Sequence, residues 1–251
     1  MKPVTDAGTV FAREMMPTFR NPIGILFMMA EPAVFLLLFG PLLSGMPGTG
    51  GGTPWEWFVP GILVMLALFG TTGAGYSLLV ELTGGSLERM LVTPLNRTAM
   101  LIGRTLKEIV TLLLQAVLIV LVVLPFGLRP HPVGLAAALV LLATFGTGLG
   151  GLAFALAIAA RRQQELFYGV QQVVLFPVVL IAGVLLPTEA APGWLRALSR
   201  VNPVTYVVDA ERALFRGDVW SAEVVYGLAA AAGIAAAGLA LGTRAMRRAT
   251  L

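Results

Sequence analysis

Six long apolar runs, separated by short charged or turn-rich stretches, set the layout of this chain. They fall near Ile23–Leu43, Phe58–Val80, Ile109–Leu128, Val133–Ala160, Leu166–Leu186 and Ala222–Thr243. Each approaches the ~20 residues that a helix needs to cross ~30 Å of hydrocarbon. Ahead of them, Val4, Gly8, Phe11, Met15 and Phe19 recur at helical spacing against Asp6, Arg13, Glu14 and Arg20. That period predicts an amphipathic helix in the membrane interface, marked by Phe11, Arg13, Met15 and Phe19. Asn21-Pro22 then breaks and restarts the chain. The fourth run carries Gly146, Gly148, Gly150 and Gly151. Such small residues allow tilting, bending and close helix contact. After Pro187 come two shorter patterns. Trp194, Leu195 and Leu198 form one apolar face. Beyond Asn202-Pro203, Val204, Val207, Val208, Ala210, Glu211 and Leu214 suggest a second short helix, ended by Gly217. These short external helices have room to dip inward, cap a pathway or lie in the interface. The expected fold is therefore an all-α membrane protein with six transmembrane helices in one domain, 1–251. It has an interfacial helix over 1–22, a charged cytoplasmic loop over 81–108 and an external helical loop over 187–221.

Composition and charge add an environment and an orientation. Of the 251 residues, 57% are hydrophobic and 12% charged, against about a quarter charged in ordinary soluble domains. Such a chain cannot cover a globule with polar surface, so lipid is its solvent. The net charge of +4 does not imply nucleic acid, because the basic residues sit between apolar runs and form no stripe. They read as topology signals. Lys2, Arg13, Arg20, Arg89, Arg97, Arg104, Lys107, Arg161, Arg162, Arg244, Arg247 and Arg248 fall on one side. Arg129, Arg196, Arg200, Arg212 and Arg216 fall on the other, where Glu189, Asp209, Glu211 and Asp218 balance the last four. The positive-inside rule then puts both termini and the Glu81–Lys107 stretch in the cytoplasm. Arginine-rich, lysine-poor usage fits a GC-rich bacterial genome, hence a bacterial cytoplasmic membrane. The N-terminal stretch does not read as a signal peptide, since its first apolar run comes after Asp6 and Glu14.

Candidate chemistry is sparse. The sequence has no cysteine and a single histidine, His131, which excludes thiolate and clustered-histidine metal sites. No phosphate-cradling G-x-x-x-x-G-K-[ST] occurs, nor any H-E-x-x-H or G-x-S-x-G. The chain is expected neither to hydrolyse ATP by itself nor to bind a cofactor. Inside the spans, Glu31 beside Pro32 is costly in lipid and is either functional or held by a structural hydrogen bond or ion pair. Gln171 and Gln172 line a pathway or bond a neighbouring helix. Met65, Phe69, Thr72 and Tyr76 in the second run, with Gln171, Gln172 and Phe176 in the fifth, are the candidate substrate pathway.

The charged stretch then carries a family likeness. Glu81 is followed by Gly85-Ser86-Leu87-Glu88-Arg89-Met90-Leu91-Val92-Thr93-Pro94. With it go Arg20-Asn21-Pro22, Glu31-Pro32 and Phe39-Gly40. Nearer the C-terminus stand Gly183-Val184, Pro187, Pro192-Gly193-Trp194-Leu195, Asn202-Pro203-Val204-Thr205-Tyr206, Arg212 and Gly217. Over essentially its whole length the chain resembles the permease subunits of ABC-2 type transporters, particularly drug-resistance exporters such as daunorubicin permeases. Ser86 stands where the family usually has Thr, and Ala182 where many relatives have Ser. The resemblance implies a dimer, more readily of identical chains, driven by two copies of a cytosolic ATPase that bind ATP and Mg2+. It implies an ATPase-coupling helix over Ser86–Val92, with Ser86, Leu87, Glu88, Arg89, Met90 and Leu91 as the grip. Asn202, Pro203, Thr205, Tyr206 and Arg212 form its external motif. Physically, Ser86 can cap a short helix whose Leu87, Met90 and Leu91 enter an apolar groove. The expected cargo is an amphipathic or lipophilic compound moved out of the cell. Two other readings stay open: a polysaccharide or teichoic-acid exporter of the same superfamily, and an ion-coupled secondary transporter using Glu31.

Overall fold

Hydrocarbon offers no partner to a backbone N–H or C=O, so so apolar a chain must satisfy its backbone within helices. The computed structural model describes residues 2–43, 53–83, 97–185 and 191–248, and all regular structure among them is helical. Helix α1 (Lys2–Arg20) leads into α2 (Pro22–Leu43), α3 (Pro54–Thr83) and α4 (Arg97–Val123). Helix α5 (Pro132–Ala159) follows. Then α6 (Gln164–Val170) continues through one π-helical segment, Gln171–Leu175, into α7 (Phe176–Ile181). Two short helices, α8 (Gly193–Val201) and α9 (Pro203–Arg216), precede α10 (Ala222–Arg248).

Among the described residues, five stretches are long and apolar enough to cross a membrane: α3, Ile102–Phe126, α5, Gln164–Ile181 and α10. They coincide with the second to sixth apolar runs. The first run is α2, a helix of 22 residues. The helix ends differ from the expected ones around the charged stretch. Helix α3 runs on to Thr83 and α4 already starts at Arg97. Glu81, Arg104 and Lys107 therefore stand on helices, not on a loop. Both helices therefore reach further toward residues 84–96 than the apolar runs alone predict.

Local signals set the ends. Asn21 Oδ1 accepts from Gly24 N at 2.9 Å and caps α2. Asn202 caps α9, accepting from Val204 N at 3.0 Å, and Pro203 occupies the first turn. Gly217 ends α9 in the left-handed region, φ 94°.

Two apolar clusters hold the bundle. The larger joins α3, α4, α5 and α9 through Phe58, Ile62, Ile119, Leu141, Phe145 and Phe215. The smaller, toward the other end of α3, gathers Leu78, Phe154, Phe167, Val10 and Met246. The most extensive helix pairing is that of α5 with α10. A Cβ on Gly242 would sit 2.9 Å from Gly151 O, and one on Gly148 2.6 Å from Ala235 N. The glycines of the fourth run thus let two parallel backbones touch.

Helix α9 is no surface lid. Ten of its fourteen residues are buried, packed against α10, α5 and α3. Of the placements open to the external loop, α9 takes the inward one. Helix α8 stays outside, with Trp194 and Val201 exposed. Helix α1 packs along α4. Its packed face is Ala7, Val10, Glu14 and Met15, while Gly8 is exposed and Phe11 half-buried. Of the expected stripe, Met15 faces the protein and Gly8 does not. The helix has a protein-facing side as well as an apolar one, and Gly103 of α4 sets the former. A Cβ at Gly103 would lie 2.7 Å from Ala7 O.

Candidate functional site

Three groupings of functional residues emerge from this packing. The first is an open wall along α6, the π segment and α7. Only 11% of the Gln164–Ile181 stretch is buried, against 71% for an 18-residue apolar stretch of α3. Tyr168 and Tyr76 meet there, ring centroids 5.7 Å apart, and Phe167 anchors the wall inward against Gly75. Gln172 and Phe176 are exposed and Gln171 half-buried. Both glutamines begin the π segment, a rare helical form that recurs at functional positions. Met65, Phe69 and Tyr76 share one face of α3 by helical spacing, but that face closes toward Met65. There the turn after α7 packs on α3, so that a Cβ on Gly61 would meet Val184 O. Phe69 is half-buried and Met65 is core, 4% exposed. Met65 thus packs in the core of the bundle. The Thr72 side chain lies outside the described residues.

The second grouping is polar and joins three helices. Arg104 of α4 is buried and pairs with Glu81 at the end of α3 and, at 3.4 Å, with Glu14 of α1. One guanidinium thereby ties α1 to both helices that flank residues 84–96. Just beyond it, Lys107 and Glu108 pair at 2.7 Å. They border a cavity of about 280 Å³ between α3 and α4, with Thr71, Ser77, Thr111 and Gln115 on its walls. The hydroxyls of Thr71, Ser77 and Thr111 bond carbonyls of their own helices.

The third grouping is the α7–α8–α9 corner. Asn202 Nδ2 donates to Val178 O at 2.8 Å, and Tyr206 Oη donates to Arg200 O at 2.6 Å. Thr205 and Ser199 hydroxyls lie 3.3 Å apart. Arg212 donates to Trp57 O at 3.0 Å and Gly183 O at 2.8 Å, with its guanidinium 4.0 Å from the Trp57 ring centroid. Asp209 approaches it at 3.8 Å. Gly183 adopts φ 73°, the left-handed conformation that presents its carbonyl inward. Asn202, Pro203, Thr205, Tyr206 and Arg212 are thus brought together, as fasteners of a corner. Beside them Glu211 is completely buried, and neither carboxylate oxygen has a hydrogen-bond partner among the described residues. Burial pushes its carboxyl well above the usual carboxylate range. Its expected part in balancing the external arginines is therefore corrected, since it points into the core.

Ser86, Leu87, Glu88, Arg89, Met90 and Leu91 lie outside the described residues, as do the side chains of Glu31 and Phe19. Arg13 is exposed. Sequence reasoning missed the Arg104 clamp, the Lys107–Glu108 cavity and Glu211. The complementary charges of Glu81 and Arg104, set in helix-forming sequence on either side of one loop, were the available signal for the first.

The ABC-2 type transporter family model matches residues 5–215. The daunorubicin resistance ABC transporter permease protein DrrB1 of Streptomyces coeruleorubidus is 26% identical over 226 residues, covering 89% of this chain and 80% of that protein. A probable multidrug ABC transporter permease, YbhR of Escherichia coli, is 27% identical over 178 residues, 68% of this chain and 47% of its own length. A putative transport permease, ycf38 of Cyanophora paradoxa, is 28% identical over 206 residues, 80% of this chain and 71% of that one. Apolar helices of spanning length, together with a family match over most of the sequence, make the chain an integral membrane protein that belongs to the ABC-2 type transporters, as a permease domain.

Proposed function

We propose that this chain is the membrane half of an ATP-driven exporter, moving an amphipathic or lipophilic compound out across a bacterial cytoplasmic membrane. A separate cytosolic ATPase, in two copies, supplies the energy, binding ATP and Mg2+. The observation that carries this reading is the uncovered Gln164–Ile181 wall, 11% buried where an 18-residue apolar stretch of α3 is 71% buried. A spanning segment of mixed Gln, Tyr and Phe that packs on so little of its own chain fits one side of a pathway between two copies. The names of the relatives, a daunorubicin resistance permease and a multidrug permease, support the cargo class. In this reading α2 is a sixth span, both termini are cytoplasmic, and residues 84–96 meet the ATPase. Closure of the ATPase pulls on the ends of α3 and α4. The Arg104 clamp to Glu81 and Glu14 passes that movement to α1 as well. Helices gripped at one end by an ion pair and along α5 and α10 by backbone contact turn as bodies.

The test is reconstitution with the ATPase in vesicles. Leu87→Asp and Glu88→Ala are expected to leave ATP hydrolysis running while efflux of a lipophilic dye falls by about tenfold or more. Unchanged coupling in both variants removes the role given to this loop. Efflux that persists without the ATPase overturns the reading, and transport confined to a hydrophilic polymer overturns the cargo class.

A further inference from the structure

Four arginines crowd the C-terminal ends of α5 and α10. Arg161 and Arg162 follow α5, and Arg244 and Arg248 lie on the last turns of α10. They stand around an open groove of about 630 Å³. Its floor is apolar, formed by Ala155, Ile158 and Leu241 with neighbouring alanines. Among the described residues, no acidic side chain lines it. Leu241 is 49% exposed, although it belongs to a helix long and apolar enough to span the bilayer. The geometry explains the groove. The glycine seam draws α5 and α10 together as far as Gly151 and Gly242. Past it, alanines leave a gap that no described residue fills, at the C-terminal ends of both helices.

Cations at the mouth and an alkyl-lined floor select an amphiphile with an anionic head. Guanidinium groups bind phosphate with paired, charge-assisted hydrogen bonds. Basic pockets between spanning helices at a membrane edge suit acidic headgroups, whose acyl chains cover the apolar floor. A soluble acidic protein surface would satisfy the arginines and leave Leu241 bare. We propose that this groove is a binding site for an anionic phospholipid, its phosphate held by Arg162, Arg244 and Arg248 with Arg161 beside them, and its chain along Ile158 and Leu241. The site is separate from the α6 wall, and it does not depend on the transport reading.

The experiment uses the full chain, purified in neutral detergent and followed by native mass spectrometry. The probes are phosphatidylglycerol and phosphatidylcholine with identical acyl chains, and inorganic phosphate. Phosphatidylglycerol is expected to stay bound and phosphatidylcholine to be lost. Arg162→Gln, Arg244→Gln and Arg248→Gln combined should weaken phosphatidylglycerol retention on the order of a hundredfold. Neutralising Arg129, Arg196 and Arg216 instead should leave it unchanged. Ala159→Trp, which plugs the floor and keeps every charge, should also release the lipid. It keeps the proposal testable should the triple variant not fold. Equal retention of the two lipids overturns the proposal, since the arginines would then select no headgroup. Displacement of phosphatidylglycerol by millimolar inorganic phosphate also overturns it, since the floor would then contribute nothing.

Discussion

At the residue scale, the outer corner holds two adjacent charges with opposite fates. Arg212 is held in place by carbonyls of Trp57 and Gly183 and by the Trp57 ring. Arg212→Leu strips these carbonyls of their donor and is expected to cost about 3 kcal/mol, read as a lowered melting temperature in detergent. Glu211 gains no such partner, and burial raises its carboxyl above the ordinary value of 4.5. The folded state therefore keeps a proton that the unfolded chain releases. This contribution to stability is complete below the ordinary carboxylate range and is lost as pH rises toward the raised folded value. Glu211→Gln should flatten the fall in melting temperature with rising pH above about 4.5. An equally steep pH profile in the variant would place the titration elsewhere. Side-chain type alone predicted neither fate. Both residues read as surface charges of an external loop, and only the inward turn of α9 buries them.

At the element scale, periodicity located the long apolar helices, because a bilayer fixes both their length and their composition. It placed the second to sixth runs on helices of spanning length. It was less exact where polar residues propagate a helix, as at Arg97–Lys107, and it rotated the packed face of α1. An amphipathic pattern shows that one side is apolar but does not identify the neighbour on the other. The glycines of the fourth run announced close contact without naming the partner, which is α10. Gly238→Leu drives a side chain into the α5 backbone at Gly148. It is expected to destabilise the bundle by about 3 kcal/mol. Gly233→Ala, where a Cβ meets nothing within 4 Å, should be neutral or stabilising by up to about 1 kcal/mol. Unfolding titrations of the two variants side by side separate packing at this seam from helix propensity.

At the scale of the whole molecule, one flank stays open. Val173 in the π segment is 73% exposed and Val225 on α10 is 62% exposed, so exposure does not distinguish them. Their surroundings do: the flank of Val173 is the uncovered wall, and α10 is already engaged by α5 and α9. The chain contains no cysteine, so single substitutions report cleanly. Val173→Cys is expected to give a disulfide-linked dimer in oxidised membranes and Val225→Cys to stay monomeric on gels. The reverse pattern would count against the α6 wall as the face proposed to meet a second copy. By itself the sequence determined the solvent, the long helices, the family likeness and the positions of the charges, because hydropathy, period and motif are local properties of the chain. Only the tertiary structure decided that Arg104 bridges three helices, that α9 sits in the core and buries Glu211, and that four arginines from two distant segments surround one apolar groove. Those facts depend on which faces meet, and residues far apart in the chain settle that together. The stretch from Glu81 to Lys107 shows the division: its charges were plain in the sequence, while the clamp that Glu81 and Arg104 form with Glu14 exists only once α1, α3 and α4 are packed.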